Sequence, residues 1–378
     1  MVVCVQKFFF GIVFIILSLQ SPCAFALYST KIEQNLTEQI KLNPNQAFYK
    51  VEALLTDPEL TAKEKAILMV LQTEVAYYID QPEYILHYAE LAMATGELNE
   101  RWHTRALISQ ARGYFQRGQF NLYFSSADMA LTKATRAKLA AYKVSAIIER
   151  AFASTLLSDL EHANQDLTLA QKYLALLPKN FDKAIILERF SAVNSHLNNA
   201  KIAILHQKQA IDIYQNINSA HFLSIGYYNL GRIYQQLEQW QKASELMLAS
   251  YHKALEDNNA LNQAFSLSRL SEFQYKLAQP KLAKKYLYDA IVAADVSPSA
   301  RVKIHVRKNM ANVLCDNKAY QECKNLLLET VALAKTNTMQ RDQIQLMEIL
   351  AEAYYHLAMY EEAYKTLQSS NQLNSNHH

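Results

Sequence analysis

Small residues recur every 40 positions along most of this chain, in two parallel series. Two helices whose backbones cross closely need small side chains at the crossing, because larger ones hold the backbones apart. The two series therefore predict stacked helices that cross at equivalent points in every repeat. The first series is Ala163, Ala203, Ala243, Ala283, Cys323 and Ala363, and the second is Ala130, Ala170, Ala210, Ser250, Ala290, Thr330 and Ser370.

One copy of the repeat is especially well preserved, in the stretch YYNLGRIYQQLEQWQKA. Its residues Tyr227, Leu230, Gly231 and Tyr234 follow the spacing W-x2-L-G-x2-Y, with Tyr in place of Trp. Leu230 and Tyr234 are four residues apart and share one helix face. Gly231 and Ala243 carry no large side chain where the two helices cross, so the two backbones can approach each other. The pattern resembles the tetratricopeptide repeat, here with a period longer than the common 34 residues.

The resemblance implies an all-α fold, a right-handed α-α superhelix of about eight helix pairs. Only six Gly and seven Pro occur in the chain, which favours long helices joined by short turns. We expect the solenoid to span residues 64–371 and a capping helix to lie within 27–63. That helix would begin at Asn43 or Asn45 and end near Pro58. Residues 372–378 are expected to form a disordered tail.

The N-terminus has the layout of a cleavable secretory signal. Lys7 precedes an apolar run from Phe8 to Leu19, and a small-x-small motif ends at Ala26. The run is shorter than the ~20 residues that span a bilayer. We expect cleavage after Ala26, hence a signal peptide over 1–26, and a periplasmic or secreted protein without stable membrane insertion. An uncleaved anchor is the alternative, and the proline before Cys23 argues against a lipoprotein signal.

Export would leave the mature chain with two cysteines, Cys315 and Cys323. Their spacing is not that of a metal site. They bracket one helix turn, where a disulfide could join them if their Cα atoms lie within ~7 Å. Cys323 also occupies a small packing position that a free thiol would fill. We expect two free thiols, and the disulfide is the alternative.

Motifs for catalysis are not found. The sequence has no Gly-rich phosphate loop, no HExxH and no GxSxG. Glu272 and Glu352 occupy equivalent positions in copies that are not adjacent, so no acid–base pair is indicated. The formal charge of +3 is spread without a basic block, which argues against nucleic acid as a partner. We therefore predict neither an enzyme nor a cofactor or metal site.

The first helix of each pair is expected to line the concave face of the solenoid. Aromatic residues beside fixed charges on that face suit an extended peptide or a partner helix, since the rings supply contact area and the charges supply register. Arg112, Phe115 and Phe152 belong to this face. The predicted groove residues are Tyr228, Arg232, Arg269, Glu272, Tyr275, Lys308, Asn312 and Tyr355.

Lys308 and Asn312 resemble two residues of the carboxylate-clamp type of tetratricopeptide domain. The next copy offers Glu348 and Ile349 where that clamp needs an asparagine, so a true clamp is not expected.

Two functions remain open from the sequence. The chain could be an exported adaptor that binds a protein or peptide of unspecified identity. It also resembles the periplasmic sensory tetratricopeptide region of bacterial signalling proteins, without their second membrane segment or effector loop. That resemblance implies a sensory module that binds a small ligand or peptide and signals to a membrane-bound partner.

Overall fold

A computed structural model describes residues 33–297 and 299–375 of the chain. These residues form eighteen helices and contain no strand. The expected signal peptide lies outside these residues. The helices are α1 (33–42), α2 (Pro44–Leu55), α3 (Ala62–Tyr78), α4 (Pro82–Ala94), α5 (Glu100–Gln116), α6 (Phe120–Arg136), α7 (Ala140–Leu156), α8 (Leu160–Leu174), α9 (Phe181–His196), α10 (Ala200–Asn216), α11 (Ala220–Gln236), α12 (Trp240–Glu256), α13 (Ala260–Lys276), α14 (Pro280–Val296), α15 (Ala300–Asp316), α16 (Tyr320–Thr336), α17 (Gln340–His356) and α18 (Tyr360–Ser375).

From α3 onward, successive helices form eight pairs, and each pair packs on the next. The 40-residue period is visible in the helix starts, since α5 begins at Glu100 and α17 at Gln340. The predicted all-α solenoid of about eight helix pairs is therefore confirmed. None of the helices in the described ranges is both long and apolar enough to cross a membrane.

The eight turns inside pairs and four of the turns between pairs share one backbone conformation. After α11, for example, Glu238 has a φ of 56° and the Gln239 amide donates to the Tyr234 carbonyl at 3.0 Å. This left-handed residue closes the helix by satisfying an otherwise free carbonyl, and it lets the next helix start after three residues. Equivalent residues with positive φ are Asp80, Gly118, Lys138, Ser158, Asn198, Asn218, Asn258, Ala278, Lys318, Thr338 and Ala358.

The small residues lie at the helix crossings, as predicted. Apart from Ala363, which is 7% exposed, the first series is fully buried, and the second series is equally well buried. At Gly231 a Cβ would lie only 3.0 Å from the Met247 Cε and 3.4 Å from the Ala243 carbonyl oxygen. The structure adds a third small series, on the first helices, that the sequence search identified only at Gly231. Its members are Ala111, Ala151, Ser191, Gly231, Ser271, Ala311 and Ala351.

The N-terminal cap differs from the single predicted helix. Asn43 does cap a helix, α2, with its side-chain oxygen accepting from the Gln46 amide. Before it lies α1, whose Leu36 and Ile40 are buried against α2 and α3 side chains. The Ser219 hydroxyl, at the start of α11, donates to the Lys41 carbonyl at 2.6 Å. Thus α1 reaches across to the fifth pair instead of merely covering the first.

At the C-terminal end, the predicted disordered tail is wrong for residues 372–375. Helix α18 continues to Ser375. The Gln340 side-chain amide donates to the Leu373 carbonyl at 2.8 Å, which attaches this last turn to α17. The remaining tail residues, 376–378, lie outside the described residues.

Contacts between distant pairs show that the solenoid curves back on itself. The Tyr78 ring at the end of α3 packs edge-on against Phe222 of α11, with centroids 4.8 Å apart. The Arg301 Nε at the start of α15 donates to the Asp80 carboxylate at 2.9 Å. The chain therefore encloses its inner face, and contacts of the first pair with the fifth and seventh pairs stabilise the curvature.

Overpacking of one crossing should destabilise the fold. We expect Ala243→Leu to lower the free energy of unfolding by about 1–3 kcal/mol, because the larger side chain must separate α11 from α12. Chemical denaturation followed by circular dichroism measures the change. The control is Ala140→Leu, at an exposed helical position. Equal stability of both variants would contradict the role of the crossing.

Candidate binding groove

A cavity of about 310 Å³ lies on the enclosed inner face, between α3, α5, α7, α9, α11 and α13. We call it the central cavity. Its aromatic walls include Tyr77, Tyr78, Phe115, Phe152, Phe222 and Phe265. Its polar lining includes Arg112, Glu188, Arg189, Asn229, Arg232 and Asn262. Of the predicted groove residues, Tyr228 and Arg232 lie here.

A buried ion-pair network stands behind one wall. Glu149 of α7 is 1% exposed and accepts from the Arg112 Nε at 2.7 Å and the Tyr123 hydroxyl at 2.5 Å. The Arg189 Nε lies 3.2 Å from the same carboxylate. Burial raises the pKa of Glu149, but both arginines and the Tyr123 hydrogen bond outweigh burial and lower it. Glu149 is therefore ionised at neutral pH and joins its own helix, α7, to α5, α6 and α9.

The same network fixes aromatic side chains. The Arg189 guanidinium lies 5.3 Å from the Phe115 ring centroid and 5.0 Å from that of Phe152. It also donates to the Tyr77 hydroxyl at 2.5 Å. Cation–π contacts of this kind hold rings in place where water is scarce. The charge of Arg189 thus supports the wall, and the rings present apolar area to the cavity.

Glu188 of α9 is a different kind of acid in the same cavity. It accepts from the Tyr214 hydroxyl at 3.2 Å. Burial raises its pKa to about 7, against the opposing effects of the Arg189 charge and the Tyr214 hydrogen bond. Glu188 therefore changes its charge near neutral pH, when the other acid of this wall, Glu149, is fully ionised.

Arg232 of α11 is exposed within the cavity. In the described part of the chain, no acidic side chain forms a salt bridge with it. The other arginines nearby all have such a partner: Arg112 and Arg189 share Glu149, and Arg301 pairs with Asp80. Arg232 is thus the cavity cation whose charge is free for a ligand.

A second cavity of about 260 Å³, the lateral cavity, is lined by four more of the predicted groove residues. These are Arg269, Glu272, Tyr275 and Asn312. The Arg269 Nη1 donates to the Glu272 carboxylate at 2.9 Å, and the Gln235 amide donates to Glu272 at 2.8 Å.

The two cavities adjoin along α13, because Phe265 lines the central cavity and Arg269, one helix turn later, lines the lateral cavity. Burial raises the pKa of Tyr228, but the positive charges of Arg269 and Arg232 outweigh burial and lower it. The central and lateral cavities are therefore neighbours along α13.

Two predicted groove residues do not join these cavities. The Lys308 ammonium donates to Asp342 at 3.0 Å and to the Gln345 side chain at 2.8 Å, so α17 neutralises its charge. Tyr355 lies in the last pair, is 62% exposed and packs beside Tyr360, with ring centroids 5.6 Å apart. The structure thus groups six of the eight predicted residues.

Cys315 and Cys323 form a disulfide in the structure, whereas two free thiols were expected. Their Cα atoms are 5.6 Å apart, because the three-residue turn between α15 and α16 brings the two positions together. Asp316 and Asn317, which follow Cys315, line the lateral cavity. The disulfide therefore fixes the edge of that cavity.

Several residues that line the central cavity are not among the predicted groove residues. Arg189 and Asn229 are 40 residues apart and occupy equivalent positions on α9 and α11, as do Glu188 and Tyr228. Stepping back by one period from Tyr228 would have found Glu188. His196 and Asn262 carry no comparable signal, since their place in the cavity depends on how the pairs curve. Within the described ranges, no cluster of three His, Cys, Asp or Glu side chains could hold a metal ion.

Removal of the Glu188 charge should stabilise the protein at high pH. Because the folded-state pKa is raised, folding holds a proton that the unfolded chain releases, and stability falls as pH rises from about 4.5 toward 7. We expect Glu188→Gln to raise the free energy of unfolding by about 1–2 kcal/mol at pH 8, allowing for partial exposure, and not at pH 4. Denaturation at both pH values measures this, with exposed Glu245→Gln as control. An equal gain at pH 4 and pH 8 would contradict it.

The fold is similar to that of solved tetratricopeptide-like repeat structures. A Rap protein complexed with Competence and Sporulation Factor has a TM-score of 0.59 at 13% identity, over 92% of this chain and 98% of that chain. A signal transduction ATPase with numerous domains and a tetratricopeptide repeat sensor, from Pyrococcus horikoshii, has a TM-score of 0.53 at 15% identity. The match covers 88% of this chain and 52% of that chain. Aspartyl phosphate phosphatase F from Bacillus subtilis has a TM-score of 0.51 at 11% identity, over 87% of this chain and 88% of that chain.

No protein-family model and no curated protein matches the sequence. At these low identities the structural likeness concerns the fold alone. On that ground, the chain has the solenoid fold of tetratricopeptide-like repeat proteins.

Proposed function

We propose that this protein is an exported, non-enzymatic scaffold that binds an extended segment of a protein or peptide along its inner face. The observation that carries the proposal is the pair formed by the central and lateral cavities, which adjoin along α13. Aromatic walls, a free cation at Arg232 and several side-chain amides meet there.

An extended segment suits these cavities better than a folded surface. Cavities of 310 and 260 Å³ accept single side chains, and a continuous chain can reach both. Asn229, Asn262, Asn309 and Asn312 line them. An asparagine amide both donates and accepts, so it can pair with the N–H and C=O of an extended backbone.

The walls are already fixed without a ligand. Glu149 holds Arg112 and Arg189, and Arg189 in turn holds Phe115 and Phe152. A preorganised site loses little side-chain entropy on binding, which favours affinity. The use of these charges as wall supports favours binding over catalysis. The Rap structure of similar fold, solved with Competence and Sporulation Factor bound, agrees with a binding role.

Two observations support export. The first 26 residues have the charged, apolar and small-residue order of a secretory signal. The Cys315–Cys323 disulfide persists best in an oxidising compartment such as the periplasm or the exterior.

A sensory role is the second candidate, and the Asp80–Arg301 ion pair favours it. This pair connects the first and seventh helix pairs, and Asp80 also lines the central cavity. A ligand there could shift the pair and so change the curvature of the solenoid. In-cell crosslinking distinguishes the candidates: a membrane-bound signalling protein as the crosslinked partner supports a sensor, and a soluble client supports an adaptor.

Peptide capture should depend on the cavities. The full-length mature chain is incubated with a random hexapeptide mixture, and the retained peptides are quantified by mass spectrometry. We expect the combined variant Tyr228→Ala, Arg232→Gln and Tyr275→Ala to lose at least about tenfold in capture, since two rings and a charge disappear. The control combines Tyr49→Ala, Tyr288→Ala and Arg136→Gln, three exposed outer residues.

Circular dichroism confirms that both combined variants keep their helicity. Unchanged capture by the cavity variant, or no capture by the wild-type chain, would refute the proposed function.

The intact mass of the protein isolated from its native cells tests export. We expect a mature chain that begins at Leu27 and takes up no alkyl group under denaturing, non-reducing conditions, because Cys315 and Cys323 are bonded. After reduction the same chain should take up two alkyl groups. A mass that retains residues 1–26, or two alkyl groups before reduction, would contradict the corresponding half of the proposal.

A further inference from the structure

We infer that the central cavity selects a carboxylate on the bound segment and that Arg232 receives it. The inference rests on the proposed function and adds the chemistry that the partner must carry. The carboxylate is either the free C-terminus of a peptide or the side chain of an Asp or Glu residue. Both present the same planar pair of oxygens to a guanidinium.

The charge distribution around the cavity leads to Arg232. Arg112 and Arg189 surround Glu149, with Nε–carboxylate distances of 2.7 and 3.2 Å. Arg269, at the junction with the lateral cavity, lies 2.9 Å from Glu272. Within the described residues Arg232 has no such partner, although it is exposed to the same space.

Glu188 does not neutralise Arg232. Glu188 lines the same cavity, but its hydrogen bond comes from Tyr214 of α10, and the cation that acts on it most strongly is Arg189. Two arginines of the wall share one carboxylate, Glu149, so the cavity retains positive charge. That excess favours a ligand with a single negative charge, and the nearby Glu188 carboxyl disfavours a doubly charged group such as a phosphate.

Neutral donors around Arg232 fit a carboxylate. Asn229 lies three residues before Arg232 on α11, and His196 of α9 faces both. All three line a narrow pocket of about 60 Å³ beside the central cavity. Burial and the charges of Arg232 and Arg189 lower the pKa of His196, so its imidazole is neutral and can donate an N–H without adding charge.

An unpartnered amide points to the rest of the same ligand. Asn262 of α13 lines the central cavity, is only 9% exposed, and its side-chain nitrogen has no acceptor among the described residues. A buried donor without an acceptor destabilises the fold. Because the nitrogen itself is buried, a backbone carbonyl of a peptide whose carboxylate lies on Arg232 becomes its acceptor only when the Asn262 side chain turns into the cavity.

The test uses four synthetic hexapeptide mixtures and the full-length mature chain. The first mixture contains all residue types and free C-termini, and the second contains all residue types and amidated C-termini. The third lacks Asp and Glu but keeps free C-termini. The fourth lacks Asp and Glu and is amidated, so it has no carboxylate. Retained peptide is quantified for wild type, Arg232→Gln and the control Arg136→Gln, an exposed arginine outside the cavity.

We expect wild type and Arg136→Gln to retain the carboxylate-free mixture about tenfold less than the first mixture, and Arg232→Gln to retain both about equally. A comparison of the second and third mixtures shows whether the side chain or the C-terminus supplies the carboxylate. Equal capture of all four by wild type overturns the inference and leaves the proposed function standing. A preference that survives in Arg232→Gln also overturns it, and capture of none of the mixtures overturns both.

Discussion

Close contact between helix backbones at small residues is the constraint on which the rest of this structure depends. At the crossing of α11 and α12, Gly231 and Ala243 leave no room for even one additional methyl group without displacement of Met247. Repetition of that crossing every 40 residues gives each pair a similar relation to the next. The accumulated rotation returns the chain on itself, so that Tyr78 touches Phe222. The inner face becomes an enclosed space because of a packing rule that involves no functional residue.

Charge on that face is buried by adjacent helix pairs. Glu149 is 1% exposed, and Arg112, Tyr123 and Arg189 from neighbouring helices contact its carboxylate. Buried ion pairs add little net stability, because desolvation offsets their attraction. They do impose geometry, since removal of one partner leaves an uncompensated charge. The network is therefore best understood as a means of positioning Phe115 and Phe152, and not as a source of stability.

The sequence predicts the architecture well and the site only in part, for a physical reason. Helix crossings are local and periodic, so the small-residue series mark them directly. Tyr228 and Arg232 can be predicted from the repeat motif in the same way, because they lie on the helix face that the packing residues of the motif do not use. Lys308 follows the same rule but is neutralised by Asp342 from the next pair, and periodicity carries no information about such pairing. Periodicity also does not predict the contact of α1 with α11, since 178 residues separate Lys41 from Ser219.

The same long-range contacts limit where a partner can lie. Helix α1 is bound to α5 through Glu33 and Arg101 and to α11 through Lys41. Asp80, which lines the central cavity, pairs with Arg301 and connects the first and seventh pairs. Under the proposed function, a segment in the central cavity would continue along α13 toward α15. The lateral cavity lies in that direction, next to the turn that the Cys315–Cys323 disulfide secures. Under the proposed function, the path of a bound segment would therefore depend on contacts that the cavity residues themselves do not make.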